Sequence, residues 1–158
     1  MNRLSLQKIG YKILYTSLYR GHRIYCKIRN PEVFGSYVLC VHDKHVLIIK
    51  NSYKRYWTFP CGGLAATETP VQAAIREAKE EVGLTLRPEN LILRAKFLYE
   101  GEDQRDNIHL FEYHFDEKPM VHIDNREVEA FCWVSKETVS QYRIFGPIES
   151  YIHEALDV

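Results

Sequence analysis

Four charged residues fall within six positions of the chain: Arg76, Glu77, Glu80 and Glu81. Glutamates this close together on a solvated helix repel one another and weaken it slightly. A divalent cation held by several carboxylate oxygens would turn that repulsion into a binding site, and Mg²⁺ prefers oxygen ligands. The glycine pair Gly62 and Gly63 opens the same stretch. We therefore interpret residues 62–84 as the active site of an enzyme.

The residues around these charges predict a helix with well-marked ends. Thr69 suits the N-cap, Pro70 suits the first helical position, and Gln72 stands where a capping-box partner belongs. Gly83 suits the left-handed position just past the helix end. Apolar residues at helical spacing predict the buried stripe, which consists of Val71, Ala74, Ile75, Ala78 and Val82.

The glutamates lie on the other side of this predicted helix. Glu77 and Glu81 are one turn apart, and Glu80 is one turn from both Glu77 and Arg76. We therefore expect three carboxylates to converge towards the loop at Gly62.

The elements that must position this helix are mostly strands. Residues 37–41 and 46–49 predict a hairpin, because both runs are β-branched or aliphatic. Its turn contains His42 and His45, which we interpret as solvated turn residues rather than a metal pair, since no third ligand lies nearby. Further strands are predicted at 56–59, 91–99, 107–115 and 127–134. A last helix from Pro147 is predicted to bury Ile148, Ile152, Ala155 and Leu156. The order predicts one α/β (α+β) domain.

The N-terminal arm differs from the rest of the chain in charge. Residues 1–31 hold seven basic and no acidic side chains, which leaves 14 basic against 21 acidic residues in the remainder. Leu4, Tyr11, Leu14, Tyr15 and Leu18 recur at helical spacing, and Gly21 suits a cap, so residues 4–20 predict an amphipathic helix. A helix that packs on the domain with its basic face in water is favoured over a membrane-surface or partner-binding helix. We divide the chain into residues 1–34 and residues 35–158.

Composition limits the class of protein. The 158 residues suit one domain with a sizeable core, and 46% hydrophobic with 27% charged residues is ordinary for a soluble globular protein. No apolar run approaches the length of a membrane span, and no signal-peptide core is present, so we expect a cytoplasmic protein. The acidic body argues against broad binding of nucleic acid. The four cysteines lack CxxC spacing and suggest reduced thiols.

Residues 62–84 resemble the Nudix box of the Nudix hydrolases (MutT-like), G-x5-E-x7-R-E-U-x-E-E-x-G-U, where U is aliphatic. The nine specified positions are occupied by Gly62, Glu68, Arg76, Glu77, Ala78, Glu80, Glu81, Gly83 and Leu84. Ala78 is smaller than the usual aliphatic residue. Cys61 stands where many members have a glycine. The resemblance covers about residues 35–140 and implies an α/β/α sandwich with a mixed β-sheet.

The resemblance also implies a chemistry. Family members hydrolyse a pyrophosphate bond, usually in a nucleoside diphosphate derivative, with Mg²⁺ or Mn²⁺. By similarity, Glu77, Glu80 and Glu81 would hold the metal ions with a backbone carbonyl near Cys61. Arg76 would orient these carboxylates by pairing with Glu68 or Glu80. The substrate would be contacted by Lys50, Tyr56, Gly62 and Gly63.

One carboxylate must take the proton of the attacking water. Glu77 or Glu81 would serve, and because family members place this base differently, Glu102 and Glu127 are also candidates. The resemblance therefore leaves the general base open.

Three activities are compatible with the resemblance. The first is hydrolysis of a nucleotide pyrophosphate; the others are nucleotide binding for regulation without turnover and isomerisation of an isoprenoid diphosphate. The complete set of box carboxylates favours hydrolysis. We expect a small-molecule nucleotide as substrate, no stable complex with nucleic acid, and a possible homodimer.

Subgroup markers downstream of the box bear on the substrate. In the family, a proline about fifteen residues after the box suggests a hydrolase of ADP-ribose. A tyrosine slightly further along suggests a hydrolase of dinucleoside polyphosphates. Tyr99 falls near these positions and no proline does. The basic arm would instead suit the phosphates of a 5'-capped or triphosphorylated RNA.

Overall fold

The computed structural model describes residues 3–29, 31–100, 105–123 and 125–157 of the chain. The helices are α1 (Arg3–Arg29), α2 (Pro70–Val82) and α3 (Gly146–Leu156). The strands are β1 (Glu32–His42), β2 (His45–Asn51), β3 (Cys61–Gly63), β4 (Ile92–Glu100), β5 (Arg105–His114) and β6 (Val128–Val134). Short 3₁₀ turns lie at Pro88–Asn90 and Val139–Gln141.

These strands form one mixed six-stranded sheet. Their order is β4-β5-β1-β2-β6, and β3 pairs with β1 beside this path. β1 and β5 run parallel, whereas the other pairs are antiparallel. The predicted hairpin is confirmed, because Val41 lies opposite Val46 across β1 and β2.

The sheet separates two hydrophobic layers. Successive side chains of a strand point to opposite faces, so Leu39 of β1 packs in the layer of α3 and Cys40 packs in the layer of α2. The first layer buries Ile148, Ile152 and Leu156 of α3. The predicted α/β/α sandwich is therefore confirmed, with the last helix beginning one residue before the predicted Pro147.

Helix α2 has the predicted ends. The Thr69 side chain accepts from the Gln72 backbone N–H, and the Gln72 side chain accepts from the Thr69 N–H. Gly83 adopts the left-handed conformation with φ 72°, and its N–H donates to the Lys79 carbonyl at 3.1 Å. Because both ends are fixed, the positions of the charged side chains along α2 are fixed too.

Helix α1 is longer than the sequence pattern indicates. The prediction of an end at Gly21 is wrong: Gly21 has no left-handed conformation, and the helix continues to Arg29. A glycine inside a helix costs only about 1 kcal/mol. The added turns contain Cys26, which is fully buried, and no proline follows before Pro31. Burial of Cys26 therefore offsets the cost of Gly21.

The contacts of α1 with the body are aromatic and ionic. Tyr15 and Tyr19 contact the ring of Tyr53, with centroid distances of 6.3 and 4.9 Å. Lys12 forms a 3.0 Å ion pair with Glu129. The expectation that the apolar stripe packs on the domain is wrong for Leu14 and Leu18, whose side chains are exposed, because the tyrosines supply the inward face.

Residues 56–59, predicted as a strand, make two isolated bridges instead. Thr58 bridges to Ile49, and Trp57 bridges to Ile144. Phe59 is fully buried, and Trp57 packs against the same core layer. This short segment leads from the loop after β2 into β3 and so brings that loop to the start of the site.

The division of the chain into residues 1–34 and 35–158 stays a prediction, although the sheet already begins at Glu32. Within the described residues, no helix combines the length and apolarity needed to cross a bilayer.

Candidate active site

The site lies where β3 meets the charged face of α2. The backbone N–H of Cys61 donates to Glu81 Oε2 at 2.8 Å, and Asn51 Nδ2 donates to Glu81 Oε1 at 3.0 Å. Glu81 is only 5% exposed. Burial raises the pKa of Glu81 to about 8, although the Lys54 ammonium and the Cys61 N–H oppose the shift. A positive charge added beside this carboxylate would stabilise its ionised form.

Glu77 occupies the space beside Gly62. A Cβ at position 62 would lie 1.9 Å from Glu77 Oε1 and 2.1 Å from its Cδ. Gly62 therefore allows the carboxylate to lie against the backbone of β3. The pKa of Glu77 is raised, chiefly by burial, and the neighbouring Arg76 works against this rise.

Arg76 binds several groups of the site at once. Its guanidinium forms a two-pronged pair with Glu68, with both N–O distances at 2.8 Å. It also donates to the Gly63 carbonyl at 2.9 Å and to Glu77. The planar, forked guanidinium suits this geometry, which a lysine ammonium would not reproduce.

Glu68 fixes Arg76 from the loop before α2. The hydrogen bonds from Arg76, followed by that from the Ala65 backbone N–H, lower the pKa of Glu68 to about 2. Glu68 therefore stays ionised and keeps Arg76 in place over the physiological range.

Glu80 is the most exposed of the three glutamates of α2. Its side chain is 61% exposed and lies 3.3 Å from Arg76 Nη1. Among the described residues, no three His, Cys, Asp or Glu side chains come together as a metal site. The predicted convergence is observed for Glu77 and Glu81, which both lie against β3. Glu80 stays on the exposed side of Glu77, because both carboxylates accept from Arg76 Nη1.

The end of β2 and the loop after it supply neighbours that the sequence did not identify. The Lys54 ammonium lies 3.8 Å from Cys61 Sγ and is close enough to oppose the rise in the pKa of Glu81. Asn51 is fully buried, and its Oδ1 has no hydrogen-bond partner. Asn51 is the last residue of β2, and Lys54 lies in the polar loop that follows it. The long-range path of the chain brings both to the site.

Other candidates have contacts outside the carboxylate pair. Lys50 donates to the Lys54 carbonyl and lies 3.5 Å from Glu129. Tyr56 stacks on Phe145 at a centroid distance of 4.8 Å. The roles of Lys50 and Tyr56 in substrate binding stay predictions.

Of the two candidate bases outside the box, the structure describes Glu127 and not Glu102. Glu127 accepts a hydrogen bond from the Tyr53 hydroxyl, and its charge raises the pKa of both Glu77 and Glu81. Glu102 lies outside the described residues.

The donor atoms at β3 fit a hard divalent cation. Glu77 and Glu81 supply carboxylate oxygens, Asn51 Oδ1 is an unpartnered buried oxygen, and Gly62 leaves room for the first carboxylate. Mg²⁺ and Mn²⁺ prefer such oxygen ligands. Cys61 would contribute its backbone carbonyl, since burial raises the pKa of its thiol to about 11 and keeps it neutral.

Fold and site together define an α/β protein in which a carboxylate-bearing helix faces a glycine strand. The NUDIX domain family matches residues 31–154. The chain belongs to the Nudix family, a family of pyrophosphohydrolases.

Curated relatives match over a shorter segment. An RNA pyrophosphohydrolase from Aeromonas hydrophila is 43% identical over 58 residues, which are 37% of this chain and 32% of that protein. The chain therefore spans about a third of the length of the curated relatives it matches.

Solved structures share the fold. The chain is similar to an Ap4A hydrolase of C. elegans, with a TM-score of 0.65 and 21% identity over 77% of this chain and 93% of that one. It also resembles a bifunctional NMN adenylyltransferase/ADP ribose pyrophosphatase from Francisella tularensis, solved with AMP and a Mn ion. The TM-score with this bifunctional enzyme is 0.64 at 21% identity, over 96% of this chain and 47% of that one. At these identities the likeness concerns the fold alone.

Proposed function

We propose that the protein is a metal-dependent hydrolase that cleaves a pyrophosphate bond in a nucleoside diphosphate derivative by attack of water on phosphorus. The observation that carries this proposal is the pair of half-buried and buried carboxylates, Glu77 and Glu81, beside β3 with Arg76 and Glu68 behind them. A regulatory module that only binds nucleotides would have no need of this arrangement.

The chemistry requires positive charge. The contribution of a divalent cation, when bound, is to neutralise the pyrophosphate oxygens and to lower the pKa of water. Glu77 and Glu81 would hold it with the Cys61 carbonyl, and Glu80, which shares Arg76 Nη1 with Glu77, would be the third carboxylate. Arg76 and Glu68 act on the geometry, because their pair keeps Glu77 against β3.

One carboxylate removes the proton of the attacking water. The candidates remain Glu77, Glu81, Glu102 and Glu127. Glu127 has a distinct environment, since the Tyr53 hydroxyl donates to it. Gln variants at these four positions, compared by pH–rate profile, identify the base by the loss of the acid limb.

An aromatic group beside Lys54 supports a nucleotide as substrate. Phe145 contacts Tyr56 at 4.8 Å and Tyr99 at 5.3 Å, measured between ring centroids. Tyr56 is half-buried, and its hydroxyl lies close enough to Lys54 for the ammonium to affect its pKa. A nucleobase would stack on such rings while Lys54 faces the phosphates.

The test is a screen of nucleotide pyrophosphates with Mg²⁺ or Mn²⁺, in which the products identify the broken bond. Reaction in ¹⁸O-labelled water identifies the phosphorus that is attacked. Glu81→Gln should lower turnover by at least about a hundredfold, whereas Glu89→Gln, on the exposed turn after α2, serves as the matched control. Unchanged turnover of a folded Glu81→Gln protein would refute the assignment.

A second candidate substrate is the 5'-end of a triphosphorylated RNA. It is favoured by the identity with proteins named RNA pyrophosphohydrolase over the 58-residue segment and by the basic charge of residues 1–31. Activity on RNA should then fall steeply with salt. Hydrolysis of a small dinucleoside polyphosphate without hydrolysis of triphosphorylated RNA would exclude this substrate, and an RNA activity that does not respond to salt would exclude a role for the basic arm.

A further inference from the structure

The outward face of α1 is an apolar surface with no partner among the described residues. It is defined by the exposed side chains of Ile9, Ile13, Leu14, Leu18, Ile24, Tyr25 and Ile28. Ile24 and Ile28 are 63% and 76% exposed. Aliphatic side chains scattered singly over a surface are normal, but a row along one helix marks an interaction site.

The opposite side of the same helix already has its partner. Tyr15 and Tyr19 contact Tyr53 of the body, and Cys26 is fully buried. Ile24 follows Tyr15 by nine residues, about two and a half turns, and so points the other way. The outward face is therefore free while α1 stays packed on the domain.

The charge of α1 indicates what covers this face. Residues 1–31 contain seven basic and no acidic side chains, whereas the rest of the chain holds 21 acidic against 14 basic residues. Arg20 and Lys27, two turns apart on one border of the aliphatic row, are both exposed. An aliphatic face bordered by Lys and Arg matches the boundary between acyl chains and anionic head groups.

We propose that the outward face of α1 binds, in the plane of the membrane, to the surface of a bilayer that contains anionic phospholipids. Its aliphatic side chains enter the head-group boundary, and Arg20 and Lys27 contact lipid phosphates. A second copy of the chain fits less well, because two such faces would bring Arg20 and Lys27 of both copies together with no acidic group of α1 to pair them. No described helix is suited to crossing the bilayer, which agrees with a helix that lies on it.

The test is co-sedimentation of the full chain with vesicles. Vesicles of phosphatidylcholine with about 30% phosphatidylglycerol should bind the protein, and neutral phosphatidylcholine vesicles should bind it at least about tenfold more weakly. The variant Ile13→Gln/Ile24→Gln/Ile28→Gln should lower the partition coefficient by at least about 30-fold. Glutamine keeps the helix propensity of these positions, and circular dichroism verifies the fold.

The matched control is Ile92→Gln/Met120→Gln, which removes two exposed apolar side chains from the body and should leave binding unchanged. Arg20→Gln/Lys27→Gln should weaken binding to anionic vesicles by about fivefold for each charge removed. Absence of vesicle binding, or equal binding of the triple glutamine variant, overturns the proposal. A dimer of the parent protein that the same triple variant dissociates would assign the face to a second copy and also overturn it.

Discussion

Gly62→Ala tests whether the carboxylate of Glu77 must lie against β3. The added Cβ would stand 1.9 Å from Glu77 Oε1, where ordinary contacts begin at 3.4 Å, so the carboxylate has to move by about 1.5 Å. A displacement of about 1 Å of a catalytic group costs about a hundredfold in rate. We therefore expect kcat/KM to fall by about a hundredfold, equivalent to about 2.7 kcal/mol of barrier.

The fold should tolerate this substitution. Gly62 has no left-handed conformation, and the group in the way is the end of a flexible side chain. Alanine lowers the conformational entropy of the unfolded chain, which stabilises the folded protein by about 0.4–1 kcal/mol and offsets part of the cost of the crowding. The thermal midpoint should therefore shift by only a few degrees while activity is lost.

The assay measures release of phosphate or nucleotide against Mg²⁺ concentration, together with thermal melting. Gly35→Ala is the matched control: Gly35 pairs with Gly63 across the strands, and its added Cβ would meet its nearest atoms at 3.6 Å. A folded Gly62→Ala protein with activity within about threefold of the parent would refute the reasoning. Equal losses in both variants would assign the effect to the strand rather than to Glu77.

Two further predictions concern the support of the site. Arg76→Lys should lower kcat/KM by about 10–100-fold, since an ammonium cannot hold Glu68 at both oxygens and Gly63 together; activity equal to that of the parent would contradict this role. Glu68 has a depressed pKa of about 2, so its contribution to stability is present above its ordinary value of 4.5 and is lost as pH falls towards 2. The difference in free energy of unfolding between the parent and Glu68→Gln, measured by urea denaturation, should therefore shrink over that range, and a constant difference would show that pairing is not its source.

Local signals made α2 predictable. The N-cap Thr69, its partner Gln72 and the left-handed Gly83 each act within a few residues, so their types alone indicate where the helix begins and ends. The end of α1 was not predictable in this way. Gly21 is a residue type that often ends a helix, but α1 continues to Arg29 and includes the fully buried Cys26.

The placement of Glu77 and Glu81 against β3 was predictable, because helix geometry alone decides it. Glu77 and Glu81 share one row of α2 and both reach β3. Glu80 is equally close in sequence but stays exposed, and Arg76 Nη1 binds it together with Glu77. Asn51 ends β2 and Lys54 lies in the loop after it; their positions depend on strand pairing, so no local pattern predicts them.

The two faces of α1 also decide how its role has to be tested. The inward face holds the ring of Tyr53, and the hydroxyl of that residue donates to Glu127, whose charge reaches the site carboxylates. Deletion of α1 would therefore free Tyr53 and alter the surroundings of Glu127 together with any lipid binding. Substitutions confined to Ile13, Ile24 and Ile28 leave those inward contacts in place. Hydrolysis of a soluble nucleotide by the triple glutamine variant should then equal that of the parent even when vesicle binding is lost.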